Sequence, residues 1–374
     1  MERKNSALEI EMFNNTYSGK KILITGHTGF KGTWLSIWLK TLGAKLYGIS
    51  REVLTEPSFY ENTLHDSNFD REFFFDISNF KRLDDAISEV KPDFIFHLAA
   101  QALVSVSYEN PIDTISTNVF GTVNLLESLR KCNYNCVAVI ITSDKVYKNI
   151  EISEGYKETD TIGGHDIYSG SKGAADILIN SYYKTYFESN SKVKIVSARA
   201  GNVIGGGDWS RDRLIVDCIK SWINNKEVTL RSPNSTRPWQ HVMEPLSGYL
   251  LLGDLASKGL FLGEPFNFGP NKSSVITVKD LINKLGLKWF ETDLKPFFKI
   301  QNSNLKEANL LQLDCNKALK ELKWKSIIDI NDLVDLTVDW YKNFYDGKDI
   351  EELTKKQILF YYELAKSNDL LWTK

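Results

Sequence analysis

Cysteine is scarce. Four thiols, Cys132, Cys136, Cys218 and Cys315, are spread over 374 residues, too few for a disulfide framework. A zinc site needs four ligands at closer spacing than these. The five histidines, at 27, 65, 97, 165 and 241, are scattered as well. Reduced thiols and no metal are expected. An excess of one charge is also lacking: 46 Lys plus Arg stand against 48 Asp plus Glu, a net charge of −2. No global field draws in nucleic acid or an anionic membrane, so neither is an expected partner. No apolar run reaches the roughly 18 residues of a membrane span. Residues 1–18 (MERKNSALEIEMFNNTYS) carry charges and lack a continuous apolar stretch, so they do not read as a secretory signal. A cytoplasmic setting is expected. There is no internal repeat and no low-complexity tract.

What is present is ordinary globular composition, 42% hydrophobic and 25% charged, which excludes a disordered chain. The length fits two domains or one large α/β unit with an added lobe. Residues 21–25 (KILIT) read as a strand, GHTGFKG (26–32) as a tight loop, and TWLSIWLKT as a helix ended by Gly43. Further strands are expected at 44–49, 73–75, 93–98, 137–142 and 193–199, and helices at 78–90, 111–131 and 168–187. This alternation predicts a doubly wound parallel sheet of Rossmann type, with helices on both faces. After about residue 200 the rhythm breaks. The stretches 201–209, 231–241 and 262–270 look like loops. The expected division is a dinucleotide-binding domain over 1–200, to which some later segments return, and a smaller, loop-rich α+β substrate lobe over 201–374.

Gly26, Gly29 and Gly32 stand between a predicted strand and a predicted helix. Without Cβ atoms such a loop lets a pyrophosphate approach the backbone, and the helix N-terminus adds amides and a positive dipole end. Thr28, Phe30 and Lys31 within the loop are expected cofactor contacts, as are Leu98, Ala99 and Ala100 after the fourth strand. The second strand ends in Ile49–Ser50–Arg51, without the carboxylate that holds a ribose 2′-hydroxyl. Ser50 and Arg51 could meet a 2′-phosphate, so NAD and NADP both remain open on this point. Asp76 and Ile77 are placed to meet an adenine, the carboxylate accepting from its amino group and the Ile side chain packing on the ring. Asp76 could instead cap the next helix.

The fifth strand runs out into Thr142–Ser143–Asp144–Lys145, where open α/β sheets bind ligands. Tyr168 and Lys172 follow at i and i+4, on one helical face. A free phenol has a pKa of about 10, a poor base at neutral pH. A nearby ammonium and a nicotinamide cation favour the phenolate, and Ser143 can orient it. Tyr168 can then take a hydroxyl proton while hydride leaves the same carbon. A non-catalytic dinucleotide sensor would need neither Tyr168 nor Lys172.

With these residues the chain resembles the extended short-chain dehydrogenases/reductases. Through GHTGFKGTWLSIWL, ITSDKVY, YSGSKGAAD and RPWQHVMEPLSGYLLL it resembles the 4,6-dehydratase branch that acts on CDP-glucose. The resemblance implies tightly held NAD, with oxidation at sugar C4, loss of water across C5 and C6, and hydride return to C6. It gives Asp144 the role of proton donor to the leaving C6 hydroxyl. Lys145 stands where relatives carry a Glu that acts as the C5 base. It would either be that base or stabilise an enolate. Another nucleotide sugar, handled by a dehydratase or a 4-epimerase, is the alternative. Expected substrate ligands are Gln101, Ser143, Asn202, Arg213, Arg231, Arg237 and His241, with Trp239 packing nearby. His97 suits core packing as well as a cofactor contact. Ser105 stands where relatives commonly have Arg, and Ile167 where Pro is usual. The helices 111–131 and 168–187, with Ile115, Val119, Val123 and Leu126 on one face, imply a homodimer or homotetramer.

Overall fold

The structure is a computed structural model. It describes residues 12–64, 68–189, 192–230, 232–271, 274–292, 297–300 and 310–374. In the first half, β1 (Lys21–Thr25), α1 (Phe30–Thr41), β2 (Lys45–Ser50), β3 (Arg71–Phe74), α2 (Phe80–Val90), β4 (Phe94–His97), α3 (Val104–Glu109), α4 (Pro111–Ile115), α5 (Gly121–Arg130), β5 (Cys136–Ile141), α6 (Ile167–Tyr182) and β6 (Val193–Ala200) follow one another. π turns follow α4 at Ser116–Phe120 and α6 at Tyr183–Phe187. In the second half come β7 (Val203–Ile204), α7 (Leu214–Trp222), β8 (Val228–Leu230), β9 (Thr236–Pro238), β10 (Gln240–His241), α8 (Met243–Ser257), β11 (Pro265–Phe268), β12 (Val275–Thr277), α9 (Val278–Phe290), β13 (Phe298–Ile300), α10 (Ile330–Tyr345) and α11 (Ile350–Ser367).

Seven of these strands form one sheet in the order β11-β6-β5-β4-β1-β2-β3, and every pair is parallel. The doubly wound fold expected from the strand–helix alternation is present. The strand order reverses between β1 and β4, which opens a crevice at their carboxyl ends, where such sheets bind ligands. The pleat divides each strand between two cores. Ile22, Ile24, Phe94, Phe96, Val137 and Val139 lie in one apolar cluster, while Leu23, Ile95, Ala138 and Ile140 lie in the other. Gly43 adopts φ +75° just past α1, the left-handed conformation that ends a helix at low cost.

One finding differs from the sequence expectations. The stretch 262–270 is not all loop: Pro265–Phe268 is the edge strand β11, registered on Ser197–Ala200 of β6. Later helices also pack on the first half of the chain. Helix α8 is buried along nearly its whole length and packs on β5 and β6. Helix α11 covers α1, with Trp38 meeting Tyr361 edge-on at 5.9 Å between ring centroids. A helix that is apolar on all sides needs cover on both sides. Helix α1 has the sheet on one side and α11 on the other. Glu244 of α8 ties this layer together, accepting from Ser326 Oγ, the Ile327 and Ile328 amides and the Tyr361 hydroxyl. Burial pushes its carboxyl up to about 7. All four cysteines are free thiols, Cys136 and Cys218 buried and the other two half-buried.

Candidate active site

The glycine loop is built against the β4 end. A Cβ on Gly26, which has φ +79°, would come within 2.9 Å of the Ala99 amide nitrogen, and one on Gly32 within 2.1 Å of the Gly26 carbonyl oxygen. Only glycine fits either place. The half-buried segment Leu98–Ala100 is held by two bonds to Thr25: Leu98 N to its carbonyl, and Ala99 N to Oγ1 at 3.2 Å. Thr28 ties the loop to the end of β2, donating from Oγ1 to Glu52 O at 2.8 Å and from its amide to Ser50 Oγ at 3.3 Å. The loop leaves backbone amides and an α1 N-terminus over the crevice, a cradle that fits a dinucleotide pyrophosphate.

The end of β2 bears on the ribose. Ser50 is buried, and its hydroxyl is engaged by the Thr28 amide and by His27 Nδ1 at 3.0 Å. Arg51 is surrounded by Glu52 at 3.0 Å, Asp113 at 3.4 Å and Asp76 at 3.6 Å. One guanidinium among three carboxylates leaves no net positive charge for a 2′-phosphate. Asp76 does not cap the next helix: Asn79 does, accepting from Arg82 N. Asp76 Oδ1 accepts from Ser78 N at 2.8 Å. The Ile77 side chain is turned into the core, into the gap left by Gly121 of α5, and so does not lie open to a ring in the crevice.

At the end of β5, Ser143 accepts from the Lys145 amide at 3.2 Å and donates to Asp144 Oδ1 at 3.0 Å. The same hydroxyl is near enough to the Tyr168 phenol to favour its ionised form. Ser143, Asp144, Tyr168 and Lys172 are all buried, and Lys145 is half-buried, its Nζ 5.9 Å from the centre of the Tyr168 ring. Burial raises the Asp144 carboxyl, against the pull of Lys145, the Ser143 hydrogen bond and Lys31. Burial also raises the Tyr168 phenol, and Asp144 adds to it, while the Ser143 hydrogen bond and Arg213 act the other way. In the protein alone, then, the phenol keeps its proton. Activation by a neighbouring ammonium is not enough without further positive charge.

That charge is gathered nearby. Burial and Lys31 bring Lys172 down to about 8, with Asp176 opposing. Lys31 is likewise lowered to about 8 by burial and Arg213, with Asp144 and Asp208 opposing. It keeps part of its surface in water although protein surrounds it closely. The Arg213 Nε is buried and has no hydrogen-bond partner among the described residues. Cations that hold down each other's pKa in this way suit a polyanion.

A buried ion pair holds the two halves of this cluster in register. Arg199, at the end of β6, donates from Nε to Asp176 Oδ2 at 2.9 Å and from Nη2 to Oδ1 at 2.5 Å. Asp176 lies one turn beyond Lys172 on α6 and also accepts from Thr142 Oγ1 at 2.8 Å. Arg199 Nη1 reaches the Tyr147 hydroxyl at 2.8 Å, which donates to Asn267 Oδ1 of β11 at 2.7 Å. Strands β5, β6 and β11 and helix α6 are thus bound through one network. The pattern contained a signal for it: Arg199 interrupts an apolar strand, and Asp176 continues the Tyr168–Lys172 helix face.

Several expected ligands lie elsewhere. Gln101 is used within its own loop: Nε2 donates to Leu103 O and Thr114 Oγ1, and Oε1 accepts from Leu103 N. His97 is a core residue whose Nδ1 meets Thr25 Oγ1 at 2.8 Å, and burial lowers it to about 3. His241 is fully enclosed, its ring edge-on to Trp34 at 5.6 Å, with Met243 N donating to its Nδ1. It therefore has no open face to offer a ribose or phosphate. Trp239 is also buried. Arg237 sits on the antiparallel pair β9–β12 and donates to Thr236 O. Phe30 packs beside Gly205. Asn202 is half-buried next to Gly201, where a Cβ would lie 3.1 Å from Asp144 Oδ2. Arg231 lies outside the described residues. The sequence reading missed Asn118, which joins Gln101 to Ser171 of α6, and Asp208. Among the described residues no acidic, His or Cys cluster could hold a metal, and no helix is long and apolar enough to cross a membrane.

Comparison with known proteins gives a consistent picture. The family described as GDP-mannose 4,6 dehydratase matches residues 23–337. The CDP-glucose 4,6-dehydratase of Salmonella typhimurium is 41% identical over 356 residues, covering 93% of this chain and 97% of that enzyme. Among solved structures, Pal from Bacillus thuringiensis superposes with a TM-score of 0.72 at 25% identity, over 87% of this chain and 99% of its own. The dTDP-glucose 4,6-dehydratase of Bacillus anthracis in complex with NAD superposes with a TM-score of 0.73 at 22% identity, over 89% of this chain and 100% of its own.

Proposed function

The chain belongs to the GDP-mannose 4,6-dehydratase family, and from that premise we propose that it converts CDP-glucose to CDP-4-dehydro-6-deoxyglucose and water. The observation that carries the reaction class is the placing of Asp144 and Lys145 beside Tyr168, at the crevice lined by the glycine loop. An epimerase needs the phenol and the dinucleotide but no second acid and base. The choice of CDP-glucose rests on the 41% identity to the Salmonella enzyme.

When bound on the glycine loop, NAD supplies a hydride acceptor at C4 and a hydride donor at C6. The buried Ser50 and the three carboxylates around Arg51 support NAD over NADP. Tyr168, oriented by Ser143, takes the O4 proton. Lys172, Lys31 and Arg213 supply the positive field that burial of the phenol makes necessary. The ketone at C4 acidifies C5–H. Lys145 stands beside the ring of Tyr168 to take that proton. Asp144, whose carboxyl burial shifts toward the protonated form, gives a proton to the departing C6 hydroxyl, and water leaves. The unpartnered Arg213 Nε is the guanidinium offered to a substrate phosphate.

The first experiment is to incubate the purified protein with CDP-glucose and develop the near-ultraviolet absorbance that 4-keto-6-deoxy sugars give in alkali. A signal with CDP-glucose is expected. A signal only with UDP-, dTDP- or GDP-glucose would reassign the substrate. With Lys145→Met, solvent deuterium incorporation at C5 is expected to fall together with turnover, and unchanged exchange and turnover would remove Lys145 from the chemistry.

The protein acts as a homodimer through α4–α5 and α6. The expected contact residue Leu126 is buried in the core. The solvent face instead carries Ile112, 78% exposed, Phe120, 58%, and Ile177, 51%, a spread of large apolar side chains that a monomer would not keep in water. Sedimentation at micromolar concentration should show a dimer, and Ile177→Asp should shift it toward monomer. A wild-type monomer would count against this surface.

A further inference from the structure

Helix α8 carries one side chain whose polar end is not used. Tyr249 is fully buried. Its ring meets Phe268 edge-on at 5.8 Å between centroids, and its hydroxyl has no hydrogen-bond partner among the described residues. A buried hydroxyl without a partner is destabilising, so phenylalanine would serve better if packing were the only demand. The position of the helix shows what else is near. Helix α8 lies on β5 and β6, the two strands that run out into Ser143–Asp144 and into Gly201. The side chain of Asp144 closes over Gly201. The charged and polar neighbours that act on the Tyr249 phenol are Asp144 and Tyr168. Phe268, which the Tyr249 ring meets, is registered on Ala200, the residue before Gly201, so Tyr249 lies at the strand end over which the Asp144 side chain closes.

We propose that Tyr249 is a positioning residue for Asp144, its hydroxyl donating a hydrogen bond to the carboxylate that forms as Asp144 gives up its proton. The inference rests on the dehydratase reading, in which Asp144 is the acid. In the resting state the Asp144 carboxyl, raised by burial, accepts from Ser143 at 3.0 Å, and the Tyr249 hydroxyl is unbonded. During elimination the C6–O bond breaks, and the Asp144 proton leaves with that oxygen as water. The electron pair of the former C5–H bond becomes the C5–C6 double bond. A negative carboxylate is left in a buried place. A donor already in position, idle before this step and bonded during it, favours the transition state over the ground state. Lys31 and Lys145 offer charge to Asp144, and Tyr249 supplies a hydrogen-bond donor.

The test is Tyr249→Phe in the full-length enzyme, assayed with CDP-glucose beside the wild type. A charge-assisted hydrogen bond lost only in the transition state should lower kcat roughly tenfold to a hundredfold, with KM unchanged. The melting temperature should stay the same or rise, because an unpaired buried hydroxyl has been removed. Wild-type kcat in the variant would overturn the proposal. So would a fall in kcat accompanied by a lower melting temperature and a higher KM, which would mark a packing role. A folded wild-type enzyme inert toward CDP-, UDP-, dTDP- and GDP-glucose alike would overturn the dehydratase reading itself, and would show this without reference to the variant.

Discussion

Tyr168→Phe is expected to lower kcat on CDP-glucose by roughly a thousandfold, the middle of the range for loss of a positioned general base. The protein should stay folded and keep its bound dinucleotide. The ring remains, so its packing within α6 is kept, and only the proton acceptor is lost. The structure adds a reason why the loss should be this large. In the protein alone, burial and Asp144 both raise the phenol, so the free-energy cost of forming phenolate is met by the groups arranged around it. Ser143, the hydroxyl that acts on the phenol, is engaged by Asp144 Oδ1 and the Lys145 amide. Steady-state rates and the ultraviolet signature of retained nucleotide, taken on the same sample, decide the matter. A variant within tenfold of wild type would mean that another group takes the O4 proton.

The largest effect on stability is expected at a residue that touches no substrate. Asp176→Ala should cost about 3–5 kcal/mol, the usual penalty for breaking a buried ion pair from one side. The Arg199 side chain is only 3% exposed. Without Asp176 it would keep the Tyr147 hydroxyl and the Glu158 carbonyl but lose its hydrogen-bonded counter-charge, and Thr142 would lose the nearer acceptor of its hydroxyl. Replacing both partners by apolar residues of similar volume, Asp176→Leu with Arg199→Met, should restore most of the stability, because no charge is then left unpaired. Turnover should not return with it. The network sets β5, which carries Asp144 and Lys145, against α6, which carries Tyr168 and Lys172. Urea unfolding of the single and double variants tests the first part, and kcat of the double variant tests the second. An Asp176→Ala protein as stable as wild type would show that Arg199 finds other partners.

Much of the site could be read from local pattern. A glycine loop between a strand and a helix requires close backbone approach, and Gly26 and Gly32 confirm it with contacts no side chain could survive. Tyr168 and Lys172 share a face because a helix turns at a fixed rate. Ser143 and Asp144 sit at a strand end because an apolar run stops there. Ligands inferred from residue type alone fared worse. Gln101 and His241 have suitable chemistry, yet one spends its amide on Leu103 and Thr114 and the other is enclosed beside Trp34. A polar side chain in a loop can bond its neighbours as readily as a ligand, and spacing along the chain does not distinguish the two.

The order of apolar and polar residues by itself determined the alternation of strands and helices, the two-sided burial of the sheet and the place of the phosphate cradle, because each follows from periodicities of a few residues. The tertiary structure decided the rest. It brought Pro265–Phe268 to the sheet edge, laid α8 over the sheet and α11 over α1, paired Asp176 with Arg199 and left the Tyr249 hydroxyl buried without a partner among the described residues. These contacts join residues between about twenty and more than two hundred positions apart. Their energies depend on burial and on which charges meet inside the fold, and no local pattern carries that information.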